Sequence, residues 1–282
     1  MRVTFHGVRG SVPTPGPSTV RYGGNTVCVE VRLSDNTLLV LDAGTGIRDL
    51  GRQLIADNAL SAPIHLFITH PHFDHILGLP FFAPLFRKDA HAIFHTFTPR
   101  AHRHAKHPVV FDGEHFPIRV ADLPARLDTA DATDGKFVVG SATVQHVQLN
   151  HPGGSTGFRI DDADGTSLCY LTDNELHPPG QAATSVEQLA RFAAGTNLLI
   201  HDAQYLPTDM PAKKGWGHSQ VEEVLELGRL AEARNVALFH HEPERDDDAL
   251  DRIAAHCDTW VGQHAKAMKA IVARERLTLE LS

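Results

Sequence analysis

Three histidines and one aspartate crowd into one short stretch of the chain, His70-x-His72-x-Asp74-His75. Neutral imidazole nitrogens and carboxylate oxygens are the groups that bind divalent first-row metals such as zinc. The chain has 20 histidines among 282 residues, so this spacing arises by chance in on the order of one such chain in a hundred. The spacing therefore favours a metal site over a solvated His-rich turn.

A buried strand leads directly into this stretch. Residues 64–69 form a short apolar run, which is typical of a strand covered on both faces. The histidines begin where that strand ends, and this edge of an open α/β sheet is where ligands bind. Other apolar runs also end at potential ligands: residues 37–41 run into Asp42, 144–150 into His151, 167–172 into Asp173 and 236–239 into His240.

This motif resembles the signature of the metallo-β-lactamase fold superfamily, whose later ligands are a His, an Asp and a last His, each at a strand end. His151, Asp173 and His240 occur in that order, and the segment from Asp42 to Gly46 is similar to the family's first motif. The resemblance covers nearly the whole chain. It implies an α/β fold, the αββα sandwich of two mixed sheets with helices outside, formed by a single domain over residues 1–282.

By this resemblance two divalent ions would bind, most naturally zinc, with manganese or iron as alternatives. The first would be held by His70, His72 and His151, the second by Asp74, His75 and His240, and Asp173 would bridge them. His241 competes with His240 for the last place. Asp42 is expected to orient a ligand imidazole from behind. True β-lactamases of the family usually carry other ligands at the second metal, including a Cys, and no cysteine here ends a motif strand.

A general acid is expected beside the metals. Residues 199–204 resemble the tRNase Z segment in which an acidic residue follows a His, and Gly217-His218-Ser219 resembles that family's later segment with the proton-donating His. Asp202 would hold His218, although Asp replaces the family's Glu and has a shorter arm. Asp74, Asp202 and His218 form the expected catalytic set, with a metal-bridging hydroxide as nucleophile.

The substrate is expected to be a small phosphodiester. Only 22 positions separate His151 from Asp173, which leaves room for a β-hairpin but not for the long tRNA-gripping arm of tRNase Z. The net charge of −8 also argues against a nucleic-acid partner. The chain is more similar to small-substrate members, such as cyclic nucleotide phosphodiesterases and phosphoribosyl cyclic phosphodiesterases. Arg9 is either a surface side chain or a phosphate ligand.

Other functions stay open. A nuclease of tRNase Z type without the arm is one, a thiolester or lactone hydrolase another, and a non-catalytic metal-binding scaffold the third. Homodimers are common in related enzymes, so a homodimer is an outcome to test. Three scattered cysteines, no signal-peptide pattern and no membrane-spanning run lead us to expect a cytoplasmic protein without a membrane partner.

One region interrupts the pattern. Residues 88–135 are rich in histidine and proline, and we expect an irregular insertion there. It is either a lid over the metals or a surface excursion with solvated histidines.

Overall fold

The computed structural model describes residues 1–96, 110–114, 116–131 and 135–282. Its first sheet has the strand order β14-β1-β2-β3-β4-β5-β6. Strands β14, β1, β2 and β3 pair antiparallel, whereas β3 to β6 run parallel. The bounds are β1 Arg2–Gly7, β2 Cys28–Arg32, β3 Leu38–Leu41, β4 Ile64–Ile68, β5 His91–Thr96, β6 Arg126–Asp131 and β14 Thr278–Glu280.

The second sheet has the order β13-β12-β11-β10-β9-β8-β7. Strands β7 to β10 pair antiparallel and β10 to β13 parallel. The bounds are β7 Lys136–Val139, β8 Ala142–Leu149, β9 Ser155–Asp162, β10 Ser167–Leu171, β11 Leu198–Asp202, β12 Asn235–Phe239 and β13 Lys269–Val272.

Helices cover the outer faces of both sheets. The bounds are α1 Ile47–Ala56, α2 Phe73–Ile76, α3 Val186–Phe192, α4 Val221–Leu230 and α5 Asp247–His264. One apolar cluster lies between the sheets, around Phe5, Phe67 and Phe158. Two others lie outside them, one beneath α1 and one beneath α3, α4 and α5. These four layers confirm the predicted αββα sandwich. Among the described residues, no helix is both long and apolar enough to cross a membrane.

The expectation of an irregular insertion over 88–135 is wrong for its two ends. Strands β5 and β6 lie there and extend the first sheet beyond β4 through parallel pairing. Their histidines and aspartates weaken the apolar signal that marked β4. The middle of the segment, residues 97–109 with 115 and 132–134, lies outside the described residues, so the lid remains an expectation. That residues 1–282 form one domain also remains a prediction.

Candidate metal centre

The ends of five strands, from both sheets, meet at one edge of the sandwich. In the first sheet β3 ends before Asp42 and β4 ends before the segment 69–75. In the second sheet β8, β10 and β12 end shortly before His151, Asp173 and His240. Each side chain is therefore placed by a rigid strand behind it.

Three of these residues leave their strands with an unusual backbone. Asp42, Asp173 and His240 have φ angles of 58°, 62° and 56°, a left-handed conformation that few residues other than glycine adopt. In each case the turn immediately follows a buried strand. Backbone strain of this kind costs about 1–3 kcal/mol per residue and concentrates at functional sites.

The first group of facing side chains comprises His70, His72, His151 and Asp173, whose ligand atoms lie within 4.8 Å of one another. Nδ1 of His72 is 2.8 Å from Nε2 of His70 and 3.1 Å from Nε2 of His151. Oδ2 of Asp173 is 3.6 Å from both of those Nε2 atoms. Three imidazoles and one carboxylate thus face a common point.

The second group comprises Asp74, His75, Asp173 and His240, again within 4.8 Å. Nε2 of His240 lies 3.1 Å from Oδ2 of Asp74, and Nε2 of His75 lies 3.2 Å from Oδ1 of Asp173. Asp173 belongs to both groups, with one oxygen toward each. This is the arrangement that a bridging carboxylate requires.

The residues present fit divalent cations. Nε2 of His75 is buried and has no hydrogen-bond partner, although carboxylate oxygens of Asp74 and Asp173 lie 3.3 Å and 3.2 Å away. These contacts have the distance of an ion pair without the geometry of a hydrogen bond. A buried polar nitrogen without a partner calls for an explanation, and ligation of a shared ion explains it.

Burial sets the charge of the first group. It lowers the pKa of His70 well below its ordinary value, lowers that of His72, and lowers that of His151 to about 4. All three imidazoles are therefore neutral near pH 7 and offer a lone pair to a metal.

Paired charges set the second group. Burial alone would lower the pKa of His75 and His240, but Asp173 and Asp74 outweigh it and raise both pKa values. Burial would likewise raise the pKa of the two carboxyls, but these histidines outweigh it and lower both. The two carboxylates thus favour positive charge at this point, and a metal ion would supply it in place of the protons on the two imidazoles.

Hydrogen bonds behind the rings fix their orientation. Nδ1 of His75 lies 2.9 Å from Oδ2 of Asp42, and Nδ1 of His240 lies 2.9 Å from Oε1 of Gln204. Nδ1 of His151 donates to the carbonyl of Gly217 at 3.0 Å. In each ring the bonded Nδ1 leaves Nε2 facing the site, which is typical of ligating histidines.

His241 points elsewhere. Its Nε2 donates to the carbonyl of Ala273 at 2.7 Å, whereas Nε2 of its neighbour His240 faces Asp74 and Asp173. Of the two, the structure brings only His240 into the group.

The structure also brings Asp202 and His218 to the site. The ring of His218 stacks on His240 with centroids 4.8 Å apart and meets His151 edge-on at 5.2 Å. Oδ2 of Asp202 lies 3.3 Å from Nδ1 of His218. This Nδ1 atom has no hydrogen-bond partner. The carboxylate instead accepts the backbone N–H groups of Asn174 and Ser219 at 2.9 Å and 3.0 Å.

Arg9 plays neither of its expected parts. It is fully buried, and its guanidinium donates to the carbonyls of Gly23, Glu242 and Arg245. Arg9 therefore braces the loops beside the site and does not face it.

Two residues at the site have no role in the predictions from the sequence. A cavity of about 370 Å³ opens over both groups, and Ser11 and Phe73 belong to its lining. The backbone N–H of Ser11 donates to Oδ2 of Asp74 at 2.9 Å. Backbone donors have no residue-type signal, because every residue except proline carries one. Phe73 lies inside the histidine motif, and its position there was the available signal.

Comparison with known proteins gives a consistent set of similarities. The family described as "Beta-lactamase superfamily domain" matches residues 37–241. Ribonuclease Z of Haloarcula marismortui is 26% identical to this chain, in an alignment that covers 85% of this chain and 86% of the ribonuclease Z chain. The metallo-beta-lactamase fold protein YhfI of Bacillus subtilis aligns with a TM-score of 0.69 at 16% identity, covering 99% and 98% of the two chains. A diphosphatase from the PhnP family aligns with a TM-score of 0.67 at 18% identity, covering 100% and 98%.

Proposed function

Because the chain belongs to the beta-lactamase superfamily domain family and is a hydrolase of metallo-β-lactamase fold, we propose that it is a dinuclear metal-dependent phosphodiesterase. Its substrate would be a small or cyclic nucleotide-type phosphodiester. The observation that carries the proposal is the place of His218, whose ring contacts a member of each metal group, His151 and His240. Hydrolysis of a thiolester or a lactone would leave this histidine without a role.

Each residue then has a defined task. His70, His72 and His151 would hold one ion, Asp74, His75 and His240 the other, and Asp173 both. When bound, the two ions would acidify a water molecule and offset the charge of the phosphate. We propose zinc, with manganese or iron as alternatives, because imidazole and carboxylate ligands suit all three.

His218 would be the general acid. Its Nδ1 faces Asp202 at 3.3 Å, so Nε2 is the nitrogen left to donate a proton to the departing alkoxide. The carboxylate of Asp202 would stabilise the imidazolium before the transfer. Two backbone N–H groups donate hydrogen bonds to Asp202. They would hold its carboxylate beside Nδ1 of His218.

The connection between His151 and Asp173 supports a small substrate. Apart from a short turn at 152–154, it contains only β9, β10 and the turn between them at 163–166, and all of it lies within the described residues. An RNA substrate is the second candidate, favoured by the similarity to ribonuclease Z of Haloarcula marismortui.

The three described cysteines are unpaired and buried, which suits the reducing cytoplasm that we propose as the location of the protein.

The test is a substrate panel with the zinc-loaded protein: bis(p-nitrophenyl) phosphate, 2′,3′- and 3′,5′-cyclic nucleotides, and a precursor tRNA. We expect turnover of a cyclic nucleotide that chelation abolishes. His218→Ala should lower kcat by about 10²–10⁴-fold, the usual contribution of a general acid, with metal content unchanged. His177→Ala, at an exposed histidine, is the matched control and should match the wild type.

The outcomes separate the candidates. Cleavage of precursor tRNA without turnover of cyclic nucleotides would favour the nuclease. A fully metallated protein that cleaves no phosphodiester would overturn both the phosphodiesterase and the nuclease proposals. It would favour a thiolester or lactone hydrolase instead.

A further inference from the structure

One buried carboxylate ties down the loop that carries His218. Glu175 is only 4% exposed and lies two positions after Asp173. Its Oε1 accepts the backbone N–H of Gly215 at 2.9 Å, and its Oε2 accepts that of Gly217 at 3.1 Å. Each carboxylate oxygen therefore holds one amide of an irregular segment that precedes α4.

The two glycines are needed for this attachment. Gly215 and Gly217 have φ angles of 84° and 90°, in the region that other residues rarely adopt. A Cβ at Gly217 would also lie 2.3 Å from Nδ1 of His151. The loop therefore passes directly against a ring of the first metal group.

The attachment extends to that ring. The carbonyl of Gly217 accepts from Nδ1 of His151 at 3.0 Å. A carbonyl can only accept, so the ring proton resides on Nδ1 and the Nε2 lone pair is left for the metal group. His218 is the next residue, so a shift of the Gly217 peptide would disturb both histidines.

Glu175 is itself held in place from the other side. Its backbone N–H donates to the carbonyl of Asn150 at 2.8 Å, and its carbonyl accepts from Nδ2 of Asn150 at 3.1 Å. Asn150 directly precedes His151. The carboxylate thus connects the segments that carry Asp173, His151 and His218.

We propose that Glu175 is a positioning residue, which acts through the Gly217 peptide to fix the tautomer of His151 and the place of His218. The His218 part rests on the proposed function, whereas the His151 part concerns metal binding alone. A carboxylate suits the task because it accepts both N–H groups. A carboxamide would accept one and present a second donor to the other.

The test compares zinc-loaded Glu175→Gln with Glu30→Gln. Glu30 is also buried, at 5% exposure, but its carboxylate bonds His6 and Arg32. We expect Glu175→Gln to weaken one of the two zinc equivalents about 10–100-fold, the usual cost of disturbing a partner behind a ligand. The Nδ1–H resonance of one histidine should shift in NMR spectra. With a cyclic nucleotide, whose alkoxide leaving group needs the proton of His218, kcat should fall while KM stays nearly constant. Glu30→Gln should change none of these.

A second variant covers the case in which Glu175→Gln does not fold. Glu175→Asp keeps the negative charge but shortens the side chain by one methylene group, so it cannot hold both amides in their present places, and it should produce the same selective zinc loss and NMR shift. Wild-type zinc affinities and histidine spectra in whichever variants fold would overturn the proposal. The zinc and NMR measurements use no substrate, so a wild type without phosphodiesterase activity would overturn the proposed function but not this role of Glu175.

Discussion

Asp42 shows how a single side chain organises the site without facing its cavity. It is fully buried, and its carboxylate accepts the N–H of Thr69 at 2.8 Å and the hydroxyl of Tyr170 at 3.0 Å. It also faces Nδ1 of His75. A buried carboxylate is costly unless its charge is compensated. The contacts of Asp42 therefore support the role that its position at a strand end suggests, which is to orient the ring of His75.

His95 is a histidine whose environment could not be foreseen. It is 3% exposed, its ring stacks on Phe67 with centroids 4.3 Å apart, and its Nε2 lies 3.0 Å from Nδ1 of His65. Burial, reinforced by the charge of His65, lowers the pKa of His95 to about 3. The alternative of a surface excursion with solvated histidines is wrong for His95, because β5 carries the ring into the space between the sheets.

The lowered pKa of His95 predicts acid sensitivity. In the unfolded chain its pKa is about 6.5, so the unfolded state takes up a proton first as the pH falls below that value. Stability should then decrease until the pH reaches the folded value of about 3. Between pH 7 and pH 5 this contribution amounts to about 2 kcal/mol. Urea unfolding of the metal-free protein at pH 7 and pH 5 checks this. The free energy of unfolding should fall less between these pH values in His95→Leu than in the wild type, by about 2 kcal/mol.

His91→Gln is the control for this measurement. His91 lies on the same strand but pairs with Asp128 at 2.8 Å and remains partly exposed. Its replacement should leave the acid loss at the wild-type size. Equal losses in His95→Leu and the wild type would contradict the prediction.

At the level of elements, the sequence predicts most accurately those site-carrying strands that are buried on both faces. Strand β8 begins two residues before the predicted strand at 144–150, whereas β4, β10 and β12 match the predicted strands 64–69, 167–172 and 236–239 to within one residue at each end. These strands are buried on both faces, so their apolar runs are nearly continuous. Since the same strands end at the site, their clear signal also located its side chains.

Edge elements were harder to predict for the same physical reason. The sequence from about Asp246 to Ala273 predicts one continuous helix, but α5 stops at His264 and the chain then adds the edge strand β13. Three of the four β13 residues are only partly buried, so their pattern is weak. Contacts made by backbone groups, such as the Gly217 carbonyl on His151, have no pattern in the sequence.

The one-turn helix α2 carries one side chain that faces the cavity and another that packs into the core. Phe73 at its start is 74% exposed and lines the cavity, whereas Ile76 at its end is 3% exposed. We expect Phe73→Ala to leave the free energy of unfolding within about 0.5 kcal/mol of the wild type and to raise KM for a cyclic nucleotide. Ile76→Ala should instead cost about 2–5 kcal/mol.

Urea unfolding and steady-state kinetics of both variants check this. A KM unchanged in Phe73→Ala would remove the ring from substrate binding. A large stability loss in that variant would show that the ring is part of the core.

For the whole molecule, the site fastens the two halves of the sandwich together. His70, His72, Asp74 and His75 follow a strand of the first sheet, whereas His151, Asp173 and His240 follow strands of the second. Both proposed ions would take ligands from both sheets. Metal binding should therefore stabilise the fold as a unit, which is also what the proposed single domain implies.

Removal of the ions should accordingly lower the thermal stability of the entire protein. An ion that binds only the folded state contributes about 4 kcal/mol when its free concentration is 1,000 times its Kd. With two sites, scanning calorimetry should show the Tm falling by on the order of 10 °C after chelation.

Asp173→Asn removes the carboxylate shared by both groups and should abolish most of this dependence of the Tm on zinc. Asp162→Asn is the matched control, because Asp162 is buried at 6% exposure but bonds Ser34 and Ser141, and it should keep the full shift. A wild-type Tm that does not respond to zinc would contradict the dinuclear site, whereas a full shift in Asp173→Asn would contradict only the bridge.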